Sequence, residues 1–541
     1  MKTFFEHQSL ARRNTKVMVL LFVLAVVAVI VAVDLVLAGL YMWAEETRQV
    51  PTDLWVWGAV ATAALILVVS LFNTLRLSSG GAAVARMIGA RRIAPDTADP
   101  LERRLRNVVE EMAIASGVRV PEVYVMDGES GINAFAAGWD VSGAVVAVTR
   151  GTLQTLTRDE LQGVVAHEFS HILNGDMRLN VRMIGVLAGI VFIGSIGEFI
   201  MRSVRGSRDA KGFFLAGLAI FIIGYVGLFF ARLIKASVAR QREFLADASS
   251  VQFTRNPDGI AGALDQIRSS AAGTLIGNRY AEEMSHMFFG PSVKLGGPFA
   301  THPSLEERIQ RVHPKFQVQD YRQRREVAAA TVPQVEPAKP AGRREGDLGA
   351  AWGRTPEQSA ALVGTLDAGK IDLAQRLLAA LSAPLQENVR NADSAGAALV
   401  ALMLAEPEAA RRRQLEAIPS RALAARVEAA AAHTQGLGLQ FHLPVIDLAL
   451  AALKNAHHAV KAEVVAALQA VVSADRRVSL HEFVVLTLVR SQLAPRPKPA
   501  ETKRLSDFKQ EVAVLLALMA HAGTRADATG TREAGLHAAI R

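Results

Sequence analysis

The chain has 541 residues and no cysteine, which is room for several domains and excludes a disulfide-stapled secreted scaffold. Hydrophobic residues make up 51% of it although 21% are charged, so the apolar residues must be clustered and a uniformly solvated chain is excluded. A net charge of +9 would suit nucleic acid, but the basic residues gather beside apolar runs, where anionic lipid headgroups account for them, and no nucleic-acid fold signature is present.

Residues 1–80 predict a transmembrane hairpin. Val17 to Trp43 is a 27-residue run broken only by Asp34, and Leu54 to Phe72 is 19 residues without a charge. About 20 such residues cross a ~30 Å hydrocarbon core. The first run is too long for the apolar part of a signal peptide and no small-residue cleavage site follows it. It reads as a retained anchor, with Asp34 near the outer interface. Lys2, Arg12, Arg13 and Lys16 precede the hairpin, and Arg76, Arg86, Arg91 and Arg92 follow it. The connector carries Glu45, Glu46 and Asp53 against Arg48. The positive-inside rule then puts both ends, and the segment that follows, in the cytoplasm.

Residues 81–317 carry the chemistry. Asp159 to Asp176 reads as one helix, with acids in its first turn and apolar residues at spacings of three and four. Within it, His167-Glu168-Phe169-Ser170-His171 sets two imidazoles on one helical face. They can hold a zinc ion while Glu168 takes a proton from the attacking water. Such a match arises by chance in roughly one or two chains per hundred of this length, so a third ligand is required before it carries weight. Met183 to Met201 and Phe213 to Ala231, 19 residues each, predict a second apolar hairpin. Its connector holds Arg202, Arg205, Arg208 and Lys211 against Asp209. That basic loop opposes the positive-inside rule, so the hairpin either crosses despite its charges or dips into the membrane; four spans are expected. Downstream, Ser237 to Ala248 is helical in pattern and puts Glu243 and Asp247 on one face. Glu243 suits the third ligand, and Asp247 can accept the free ring N–H of a zinc histidine. The plainer alternative pairs both acids with Arg240 and Arg242 on a solvated face.

These segments, with three others in order, resemble the HtpX-type membrane zinc proteases of the gluzincin group, which also holds the CAAX prenyl proteases. Asn133-Ala134-Phe135-Ala136-Ala137-Gly138 resembles the family's edge strand, and Val148 to Leu153 the strand and turn leading to the zinc helix. Thr301-His302-Pro303-Ser304-Leu305-Glu306-Glu307-Arg308-Ile309 resembles its closing motif. The resemblance covers about Leu101 to His313, under half the chain. It implies one zinc per chain on His167, His171 and Glu243, with Glu168 as general base and Asp247 behind a zinc histidine. His302 is the expected oxyanion donor, with His286 competing for that role, and Arg308 is expected in a structural salt bridge. Asn133, Ala134, Phe135 and Ala136 would bind substrate as an added strand, which tolerates many side chains.

Val318 to Arg344, charged and carrying Pro333, Pro337 and Pro340, reads as a linker. Residues 345–522 are rich in alanine and leucine at helical spacing and predict an all-α bundle, with 523–541 a flexible tail. Pro444 to Val489 resembles TerB-like helical modules, without the acidic spacing of a calcium loop. The expected fold is mainly α with a small β-sheet: a membrane-anchored gluzincin-type metalloprotease domain followed by a helical bundle. The expected function is a zinc endopeptidase of the bacterial inner membrane that cleaves misfolded or damaged membrane proteins at the cytoplasmic face. The bundle would serve a protein partner. The competing readings are a processing protease for one substrate and a catalytically silent membrane scaffold.

Overall fold

A computed structural model describes residues 4–77, 80–203, 210–278, 284, 287–291, 300, 302–330, 365–454, 456–474 and 479–493. His286, Asp475 to Val478 and the 523–541 tail lie outside these residues. The chain forms two compact units, Met1–Ala380 and Leu381–Arg541.

In the first unit, the apolar runs become α1 (Phe4–Ala44), α2 (Thr52–Leu77), α7 (Asp176–Ser203) and α8 (Ala210–Thr254). All four are long and apolar enough to cross a membrane by length and composition. The two hairpins pack into one bundle around Val29, Val33, Ile66, Ile193 and Ile220. Leu20, Leu24, Val31, Trp57, Leu67, Phe72, Phe199, Leu215 and Ile222 point outward, an apolar exterior that lipid satisfies. In lipid, apolar contact alone does not draw helices together; close backbone approach through small residues does. A methyl on Gly224 of α8 would lie 2.3 Å from the backbone nitrogen of Gly194 in α7, so this crossing requires glycine. Asp34 is buried between helices, with Oδ1 facing Gly58 of α2.

Between the hairpins lie α3 (Gly81–Met87), β1 (Arg91–Arg92), α4 (Pro100–Ser116), β2 (Glu122–Met126), β3 (Ala134–Ala137), β4 (Val145–Thr149), α5 (Arg150–Thr155) and α6 (Arg158–Asn174). The strands form one sheet in the order β1-β2-β4-β3, with β2 and β4 parallel and both outer pairs antiparallel. Val123 pairs with Val146 and Ala136 pairs with Val146 on its other side, which leaves β3 at the edge. Side chains alternate between the faces. Tyr124, Met126, Phe135, Ala137, Val145 and Ala147 join Val84 and Ala85 of α3, and Ile88 just after it, in one core. Val123, Val125, Ala134, Ala136, Val146 and Val148 are buried as well, and α6 packs against β3.

The zinc-motif helix begins where the sequence says it should. Thr157 and Glu160 form a capping box at its start. Gly175 ends it in the left-handed region, at φ 72°.

After α8 come α9 (Pro257–Ser269), α10 (Leu305–Val312), α11 (Val318–Ala330) and α12 (Ala368–Ala380). Two expected boundaries move. The stretch 318–330, read as linker, is helix α11. Its Tyr321 hydroxyl donates to Glu160 Oε1 at 2.8 Å, Arg325 Nε donates to the same oxygen at 2.9 Å, and Arg322 Nε donates to Asp265 at 2.8 Å. Arg322 and Arg325 are thus partners of the buried acids Asp265 and Glu160. Likewise α12, expected in the bundle, belongs to the first unit, where Gln375 Nε2 donates to Glu111 of α4 at 3.0 Å.

The second unit is all-α over its described residues, with helices from Ala383–Arg390 to Leu480–Leu493. Leu385, Leu399, Val427, Val445, Leu450, Leu468 and Val471 form its buried interior.

Candidate active site

Three elements bring the ionisable groups together. Helix α6 supplies His167, Glu168 and His171, α8 supplies Glu243 and Asp247, and the chain around α10 supplies His302 and Arg308. His167 and His171 lie one turn apart and their Nε2 atoms approach to 3.2 Å. Glu243 Oε2 is 3.6 Å from His167 Nε2, and Oε1 is 3.5 Å from His171 Nε2. These three residues are a group that could hold a metal ion. Four ligands arranged tetrahedrally at roughly 2.0–2.1 Å from zinc stand about 3.3 Å apart, so the observed spacings fit. Two imidazoles and one carboxylate are also a donor set that catalytic zinc uses.

Each histidine is held from behind by a carboxylate. His167 Nδ1 stands 2.9 Å from Asp247 Oδ1, and His171 Nδ1 stands 2.9 Å from Asp176 Oδ2. Such contacts fix the ring and leave Nε2 for the metal. Arg308, fully buried, donates Nε and Nη2 to the two oxygens of Asp247 at 2.8 and 2.7 Å. This is the salt bridge expected of Arg308. Asp176 in turn is ion-paired with Arg242. Arg242 thus serves Asp176, and Arg240 donates to the Ala300 carbonyl at 2.7 Å. The alternative in which these arginines neutralise Glu243 and Asp247 on a solvated face does not describe the fold.

Burial sets the protonation of the group. It pushes the Glu168 carboxyl up to about 8, with the Ala136 amide weakly favouring the charged form. Neither carboxylate oxygen of Glu168 has a hydrogen-bond partner of good geometry. Burial pulls His167 below the usual imidazole range, towards the neutral form that binds metal. Burial also opposes the charge on Glu243, but His302 and His171 beside it hold its carboxyl well below the usual range.

His302 is buried with Nδ1 3.1 Å from Glu243 Oε2. The expected oxyanion donor is therefore engaged with the third member of the donor group. Ala134, Phe135 and Ala136 lie in edge strand β3, and Asn133 immediately precedes it. Asn133 is fully occupied within the chain: its Nδ2 donates to the Thr274 carbonyl at 2.8 Å, and its Oδ1 accepts from Gly290 N–H at 3.1 Å.

Sequence reasoning missed two contributors. Asp176 carried no assignment; its signal is a glycine able to take the left-handed turn directly before an acid, five residues beyond His171. Phe289, whose ring stands edge-on to His167 at 4.9 Å, had no signal beyond its aromatic character.

Known proteins resemble the chain over the region that carries these residues. Residues 100–314 match the profile of Peptidase family M48. The chain is 35% identical to a protease HtpX homolog of Thermoanaerobacter pseudethanolicus over 269 residues, 47% of this chain and 85% of that protein. A protease HtpX homolog of Dictyoglomus turgidum is 40% identical over 210 residues, covering 38% and 68%. One from Streptococcus uberis is 35% identical over 218 residues, covering 38% and 71%. No solved structure matches. Together with four apolar helices of membrane-crossing length, these likenesses establish that the chain belongs to the HtpX-type membrane metalloproteases of peptidase family M48.

Proposed function

We propose that this metalloprotease uses one zinc ion per chain to cut misfolded or damaged membrane proteins at the cytoplasmic face of a bacterial inner membrane. The observation that carries the reading is the convergence of His167, His171 and Glu243 beside the buried carboxyl of Glu168.

His167, His171 and Glu243 would hold the ion. Bound zinc supplies a Lewis acid and brings the pKa of its water towards ~7. Glu168 accepts the proton of the attacking water and returns it to the leaving amine. Burial, reinforced by the neighbouring Glu243 charge, raises this carboxyl, and a dication held by the neighbouring side chains would draw it back towards the charged form a base requires. Asp247 and Asp176 keep the two imidazoles aimed, and Arg308 keeps Asp247 charged. His302, whose Nδ1 lies against Glu243, would orient that ligand and remains the proposed second donor to the oxyanion. The cytoplasmic orientation is supported by the basic residues at both ends of the first hairpin and the acidic connector between them.

The full chain, purified in detergent with chelator and then given zinc, should cleave unfolded casein. Glu168→Gln should bind zinc equally and lose about 10²–10⁴ of the rate. Equal cleavage by the variant would remove Glu168 from the mechanism. Zinc-loaded wild type that leaves casein intact would count against the endopeptidase reading.

A further inference from the structure

Strand β3 pairs antiparallel with β4 on one side and is the edge of the sheet. The Asn133 carbonyl accepts from Thr149 N–H, so the next outward-facing main-chain groups belong to Ala134 and Ala136. An edge of this kind accepts an added strand through main-chain bonds, whatever the added side chains. Here a short piece of the chain itself already holds that register. Phe288 stands opposite Phe135 in an antiparallel bridge, and Phe289 N–H donates to the Ala134 carbonyl at 2.8 Å. Gly290 N–H donates to Asn133 Oδ1 at 3.1 Å, while Asn133 Nδ2 donates to the Gly290 carbonyl at 3.2 Å. Arg308 Nη1 donates to the Phe289 carbonyl at 2.6 Å. The Phe289 ring fills the space between His167, 4.9 Å away, and the Arg308 guanidinium, 4.6 Å above it.

We propose that Phe288–Gly290 is an internal peptide seated where a substrate strand binds, and that the site works by exchanging it for an extended segment bearing large apolar side chains. This rests on the endopeptidase reading above.

Two features support exchange. The hydrogen bonds that hold Phe289 and Gly290 go to their main-chain atoms, which any extended peptide can supply equally. The side-chain contacts are aromatic: Phe288 against Phe135 at 5.4 Å, and Phe289 against His167. A competitor that recovers them must carry bulky apolar residues in extended form. Unfolded chains expose such segments and folded ones bury them, so the internal peptide would make the site selective for unfolded substrate without a sequence rule.

The test uses full-length Glu168→Gln in detergent with zinc, which can bind but not cut. Hydrogen exchange is followed across residues 287–290 with and without saturating unfolded casein. Casein binding should expose that stretch severalfold while β2 and β4 keep their protection; unchanged protection with casein bound would overturn the proposal. A second variant acts on the segment from outside the donor group. An added methyl at Gly290 would fall 2.5 Å from Thr274 Cγ2, so Gly290→Ala must shift one of them. An internal ligand loosened in this way gives severalfold faster casein cleavage at unchanged zinc content. A permanent fifth strand gives equal or slower cleavage, which would overturn the inference while leaving the protease reading intact. Absence of zinc-dependent cleavage by wild type would instead strike at that reading.

Discussion

Asp176 Oδ2 lies 2.9 Å from Nδ1 of His171, five residues back across the end of α6. An acceptor there keeps the His171 proton on Nδ1 and presents Nε2 to the metal. Partners of this kind are worth about 10–100-fold in metal affinity. Asp176→Ala should weaken zinc binding by that factor in a competitive chelator titration, with the fold unchanged by circular dichroism. Wild-type affinity in the variant would show that His171 is held by packing alone.

Arg308 is buried and paired with both oxygens of Asp247. Removing one partner of a buried pair leaves the other charge uncompensated, at a cost of about 3–5 kcal/mol. Arg308→Met should lower stability by this amount in chemical unfolding of the detergent-solubilised protein. Arg308→Lys should recover only part of it, because an ammonium cannot span two carboxylate oxygens. Unfolding of Arg308→Met at the wild-type midpoint would contradict this account.

Tyr321 joins α11 to the zinc-motif helix through Glu160, whose other oxygen accepts from the Thr157 amide at 2.7 Å. Tyr321→Phe removes one donor but leaves Arg325 on the same carboxylate. The expected loss is about 0.5–1.5 kcal/mol, read as a lowered unfolding midpoint. No change would mean that α11 is docked by its other contacts.

The sequence has no cysteine, so one introduced thiol reports its side of the membrane without background. Gln49→Cys, in the acidic connector between α1 and α2, should react with an impermeant maleimide added outside intact spheroplasts. A thiol placed near residue 92 should react only after lysis. The reverse pattern would invert the orientation and put the donor group outside.

Much of the donor group was legible because it is local. His167 and His171 are one turn apart on one helix, and so are Glu243 and Asp247, so helical spacing alone brings each pair to one face. The partner of His171 was not legible, because Asp176 reaches back only through the left-handed turn at Gly175. The docking of α11 was hidden for a different reason. Arg322 and Arg325 look solvated until Asp265 and Glu160, 57 and 165 residues earlier, are found buried beneath them. The edge strand was correctly located in sequence, but its occupancy by Phe288–Gly290 depends on a pairing across some 150 residues that no periodicity records. The two apolar hairpins were recognisable from run lengths, whereas their union into one bundle rests on close approaches such as Gly189 of α7, where an added methyl would lie 2.8 Å from the Ile66 carbonyl oxygen of α2.

Helix α8 continues without a break from its apolar half into the turn that carries Glu243. Glu243 lies twelve positions beyond Ala231, the end of the apolar run. At 1.5 Å per residue that is about 18 Å along the axis. The donor group is thereby tied to the apolar half by one rigid rod, so Glu243 and the end of the apolar run cannot move apart without breaking the helix.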